Sequence, residues 1–136
     1  MDGLTVGDRN SMRRVDFASG LYRESARTTR TLLADQQLDR KILQVRIGSE
    51  LLRLQTIVER IEREAKELRD PALVRGTRKV IRILREQNRQ YELAERARLA
   101  GDPETVSAAT ERAAALAAEG EQTLRRLVNR FPGLPG

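Results

Sequence analysis

IGSELLRLQTIVERIEREAKEL, residues 47–68, decides the fold class. Within it Ile47, Leu51, Leu54, Val58, Ile61, Ala65 and Leu68 advance by steps of four and three, the heptad seam of a helix with one apolar face. Such a face needs a cover, from the same chain or from a second copy. Just upstream, Leu38, Ile42, Val45 and Leu52 form a second row on the opposite side, so the first half of this helix is apolar on two faces and calls for two neighbours. We expect the helix to span 38–70, with Gly48 costing about 1 kcal/mol relative to Ala and marking a kink or a break capped by Ser49.

Working outward, Asp70-Pro71 reads as a helix start, with the aspartate as cap and the proline at the first position, where its missing N–H is harmless. A third helix over 72–99 follows, with Leu73, Thr77, Val80, Leu84, Gln87, Tyr91 and Ala94 as its seam. Around Gln87 and Asn88 that seam turns polar, which predicts a wet layer or a two-helix contact there. The signature recurs at Gly101-Asp102-Pro103 and opens a fourth helix over 103–131, built on Val106, Ala109, Ala113, Leu116, Gly120, Leu124, Leu127 and Phe131. A first helix is expected over 16–36, capped by Asp16, with Phe17, Leu21, Tyr22, Ala26, Thr29, Leu32 and Leu33 inward. Whether it turns at ADQQL or runs on into the second helix is open. Residues 1–15 read as a flexible arm and 132–136 as a flexible tail, leaving 16–131 as an all-α antiparallel bundle or coiled coil of three to four helices.

Residues 100–121, AGDPETVSAATERAAALAAEGE, resemble the helical hairpins of bacterial flagellar export chaperones. The resemblance implies a hairpin and brings no function with it.

The chain has no cysteine and no histidine, which removes thiol nucleophiles, the usual zinc and haem ligands and the commonest neutral-pH base. Glu59 with Glu62, and Glu64 with Glu67, have the spacing of metal-binding carboxylates, but Arg60, Arg63, Lys66 and Arg69 alternate with them and suggest an ion-pair ladder. We expect no catalytic, metal or cofactor site. Tyr91 reads as core. MDGLTVGDRN has no apolar signal segment and no membrane-length run occurs, so a cytoplasmic protein is expected.

The charge is unevenly placed. Residues 71–99 hold eight basic and three acidic side chains, which accounts for five of the six net positive charges. Arg75, Arg78, Lys79, Arg82, Arg85 and Arg89 fall on the side of the third helix away from its seam, as does Arg96. Guanidinium groups pair bidentately with carboxylate and phosphate. The expected function is therefore a non-enzymatic adaptor, scaffold or assembly subunit that binds an acidic protein partner through this face, self-associates through its seam (Ile47, Leu51, Leu54, Val58, Ile61, Leu68), or both. The alternative is sequence-nonspecific nucleic-acid binding by the same face, and a small-molecule-binding bundle has least support. Absence of interleaved aromatics counts against base stacking. Whether basic residues from Arg40 to Arg53 extend the stripe into a patch is open at this point.

Overall fold

The structure, a computed structural model, describes residues 3–131, 133 and 134. Four helices run up and down: α1 (Val6–Leu33), α2 (Arg40–Ala65), α3 (Pro71–Leu99) and α4 (Pro103–Asn129), with no strand among the described residues. Each starts on an oxygen that takes up free backbone donors. Asp70 accepts from the N–H groups of Ala72 and Leu73 at 3.1 Å, Asp39 from Lys41 and Ile42, and Thr5 from Asp8. At the other end of α3, Gly101 adopts φ +72°, and the N–H groups of Asp102 and Gly101 reach back to the carbonyls of Ala97 and Arg98. Only a residue without Cβ holds that backbone cheaply, which is why the α3–α4 turn is short.

The first and second helices are separate. The Asp35 carboxylate accepts from the N–H groups of Gln37 (2.7 Å) and Leu38 (2.9 Å), closing a turn that needs neither glycine nor proline. Those bonds, Leu38 first, hold its carboxyl below the usual carboxylate range. Gly48 and Ser49 do not break α2, which is continuous from Arg40 to Ala65.

The N-terminal arm expected over 1–15 is corrected: α1 begins at Val6, and Asp8, Ser11, Met12 and Val15 are all buried. Met1 and Asp2 lie outside the described residues. Asp16 is consequently mid-helix, and Thr5 takes the capping role. What anchors this first turn is polar. Asp8, only 2 % exposed, accepts from the backbone N–H groups of Arg69 (2.8 Å) and Asp70 (3.2 Å), pinning α1 to the α2–α3 turn. A hydrophobic pattern cannot announce an anchor made of an aspartate and two peptide groups. Phe17 is a second correction, 60 % exposed under the guanidinium of Arg60, 5.7 Å from the ring centroid.

Inside, the α2 seam is covered within the monomer: Ile47, Leu54, Val58, Ile61 and Leu68 are buried and Leu51 half-buried. At 26 residues α2 is about 39 Å long and α3, at 29, slightly longer, so no seam overhangs. Beside it α4 lies close to α3, because Gly76 faces Leu127 and Gly120 faces Ile83 where a Cβ would stand 2.6 Å and 3.3 Å from those side chains. The polar stretch at Gln87 is bridged by side chains, although Gln87 Oε1 and Ser19 Oγ, beside a cavity of about 30 Å³, have no hydrogen-bond partner among the described residues. Tyr22 crosses from α1 with its hydroxyl 2.5 Å from Asn88 Oδ1 and 3.2 Å from the Leu84 carbonyl, and Gln87 Nε2 donates to the Tyr91 hydroxyl at 3.0 Å. The tail is only partly outside the described residues: Phe131 is buried and Leu134 packs against the core, while Pro132, Pro135 and Gly136 are not described.

Two outcomes follow. Asp8→Ala removes the acceptor from two part-buried N–H groups and should cost about 1–3 kcal/mol in urea unfolding, whereas a free arm would give no change. At high pH, burial holds both the Tyr22 and Tyr91 phenols above their ordinary value, with the proximity of Tyr91 adding to the effect on Tyr22. Because the folded phenols resist ionisation, their contribution is fully present below pH about 10 and is lost as pH rises toward the folded values. Phenolate absorbance should therefore appear together with loss of helicity, and Tyr22→Phe should flatten that alkaline decline; phenolate absorbance rising at ordinary pH with helicity intact would contradict it.

Candidate functional site

Between Asp70 and Glu86 the chain has no acidic residue. The seam side of this segment is buried through Leu73, Thr77, Val80, Ile81 and Leu84, which leaves Arg75, Arg78, Lys79, Arg82 and Arg85 exposed, with Arg89 one turn further. All six predicted residues therefore share one surface. Two of them are paired: Arg85 with Glu62 on α2, and Arg89 with Glu86, whose carboxyl lies below its usual range chiefly because of the Arg89 hydrogen bond. Arg75, Arg78, Lys79 and Arg82 have no ion pair among the described residues.

Open grooves flank the stripe. On the α2 side, Lys66, Arg75, Arg78, Arg82 and Arg85 surround a groove of about 570 Å³ floored by Ala65 and Ile81, with Glu62 its one acidic residue. On the α4 side, Arg75, Lys79, Arg126 and Arg130 surround a groove of about 320 Å³ whose floor is Gly76, Ala72 and Leu127, with no acid in its lining. The glycine contributes here by leaving the floor low. Together they make a basic belt around the end of the bundle that holds the α2–α3 turn.

The basic residues that extend the stripe are therefore not those beginning at Arg40. Arg40 lies at the opposite end, where its Nη2 donates to the Leu99 carbonyl at 2.6 Å, because α2 runs antiparallel to α3. Lys66, Arg126 and Arg130 take that place. Their only sequence signal is the four-residue step from Arg126 to Arg130, which says nothing about which helix lies alongside. The acidic ladder on α2 also resolves differently, since Glu64 pairs with Arg14 of α1 and Glu62 with Arg85 of α3, across helices rather than along one. No cluster of three metal-ligating side chains occurs among the described residues, and Tyr91 is wholly buried. Among those residues no helix is long and apolar enough to cross a membrane.

Neither a family model, nor a curated protein, nor a solved structure matches the chain. The surface must be read from its own chemistry.

Replacing Arg75, Arg78, Lys79 and Arg82 together by Gln removes like charges at helical neighbour spacing and breaks no ion pair. The thermal midpoint should hold or rise, with stability within about 0.5 kcal/mol of the parent or higher; a clear loss would make the stripe a structural element.

Proposed function

We propose that the protein is a non-enzymatic interaction module that binds an acidic protein segment laid along α3. The observation that carries this reading is the groove between α2 and α3, where unpaired cations rim a floor of Ala65 and Ile81. Carboxylates of a partner would pair with the guanidinium groups, and its aliphatic side chains would cover the apolar floor. A phosphate backbone has charges for the rim and nothing for the floor. The four aromatic residues, Phe17, Tyr22, Tyr91 and Phe131, all lie off the belt, so single-stranded bases would find no stacking surface. Freedom from cysteine is in keeping with a cytoplasmic site of action.

Nucleic-acid binding is the second reading, and Arg126 with Arg130 favours it by widening the belt beyond one helix. The two differ in salt dependence. A duplex neutralised by the eight belt cations would lose affinity with a log–log slope of roughly −7 in salt concentration. Fluorescence anisotropy with a Glu-rich amphipathic peptide carrying leucine anchors, a random DNA duplex and a single-stranded RNA, each over a salt series, separates them. The expected result is peptide binding that persists at physiological salt, weakens at least tenfold in the four-residue Gln variant, and weakens again when the leucines become serine. Tighter binding of the duplex, steeply lost with salt, would transfer the function to nucleic acid; no binding of any probe at low salt would remove the belt from consideration.

A further inference from the structure

Of the second apolar row read from the sequence, Leu38 is half-buried against the core, but the three residues within α2 are left without a cover by the bundle. Ile42 is 48 %, Val45 72 % and Leu52 64 % exposed, although the rest of α2's large aliphatic side chains are buried or half-buried. Single exposed aliphatics are ordinary, but these are ordered: Ile42, Val45, Ser49, Leu52 and Thr56 advance by three, four, three and four, which is half of a coiled-coil seam. The Thr56 hydroxyl is satisfied by the Leu52 carbonyl at 2.9 Å, so it makes no demand on this face. At the midpoint the face is low, with Ser49 beside Gly48, whose missing Cβ has nothing within 4 Å.

We propose that this face is an interface between two copies of the chain, with α2 packed antiparallel on α2 of the second copy across a two-fold axis at Gly48 and Ser49. The inference is independent of what the basic belt binds. In that register Val45 of each copy lies opposite Leu52 of the other, and the low midpoint lets the two helices approach. On one edge the charges agree with it. Lys41 and Glu59 are exposed, have no ion pair among the described residues, and lie along the same edge near the two ends of the stripe. Antiparallel pairing brings Lys41 of each copy within one turn of Glu59 of the other on the same edge, whereas parallel pairing gathers both lysines at one end and both glutamates at the other, on opposite sides of the contact, and pairs neither. On the other edge Arg46 of each copy comes beside Arg53 of the other, a like-charge contact that works against pairing and that the Asp35 carboxylate, held low in part by Arg46, offsets.

The size of the face sets the strength. The strip from Ile42 to Thr56, about 21 Å long and one helix wide, buries roughly 800 Å² over both copies, below the standard size for a specific interface, so the dimer is weak and forms only at high concentration. It would place two basic belts at opposite ends, about 45 Å apart along the helix axis, and make the module bivalent for an extended or repeated acidic partner.

Sedimentation over a concentration series tests the proposal, with engineered cysteines in this cysteine-free chain fixing the geometry. The parent should move from one to two chain masses with rising concentration, while Val45→Glu and Leu52→Glu remain monomeric with unchanged helicity, since both side chains are exposed. Under mild oxidation S49C should cross-link to itself; V45C should not, but V45C mixed with L52C should. A parent chain monomeric throughout, or a dimer untouched by either glutamate, would overturn the interface, and self-cross-linking of V45C as efficient as that of S49C would overturn the antiparallel arrangement.

Discussion

Burial of the α3 inner stripe is the constraint on which the rest of the molecule depends. Leu73, Thr77, Val80, Leu84, Gln87, Tyr91 and Ala94 are all buried, and every other helix touches α3 through them or beside them. On one side α4 approaches closely over Gly76 and Gly120; on another α2 contributes its heptad seam; from α1, Tyr22 reaches across to Leu84 and Asn88. With so few aromatics, this core gains its stability from many small aliphatic contacts, which makes the polar layer of Tyr22, Asn88, Gln87 and Tyr91 a specific register mark in an otherwise interchangeable interior.

That burial also dictates where the cations go. A guanidinium cannot be buried unpaired without a cost of several kcal/mol, so a helix with a full apolar stripe and an arginine at nearly every outward turn has one orientation open to it. The belt is therefore partly a by-product of packing α3. The absence of acidic residues between Asp70 and Glu86 is not, since packing places no bar on them there. Cations gathered from three helices around low grooves form a surface whose own repulsion is relieved when an anionic partner is bound.

The two surfaces of the molecule are chemically distinct. On α3 and α4 the exposed face is cationic over small apolar floors; on α2 it is a narrow aliphatic row with an opposite charge at each end. They do not overlap, because α2 gives one side to the bundle and the other to solvent. On the proposed reading, a chain with both would join copies of itself through one face while holding a partner with the other, and the weakness of a single-helix contact would make such assembly responsive to concentration.

Much of this was legible without coordinates. The Asp-Pro starts of α3 and α4, the Gly101 turn, the α2 seam and the outward stripe from Arg75 to Arg89 follow from helical periodicity and from capping chemistry, which act over a few residues. Other features were settled only by the tertiary structure. Whether residues 6–15 were arm or helix depended on Asp8 meeting peptide groups of Arg69 and Asp70, far along the chain. Which of the two apolar rows on α2 would be covered depended on where α1 came to lie. The joining of Lys66, Arg126 and Arg130 to the α3 stripe depended on two antiparallel neighbours. Periodicity states the direction in which a side chain points along its own helix, but what stands opposite is set by packing between segments, and that is where the belt and the uncovered row of α2 arise.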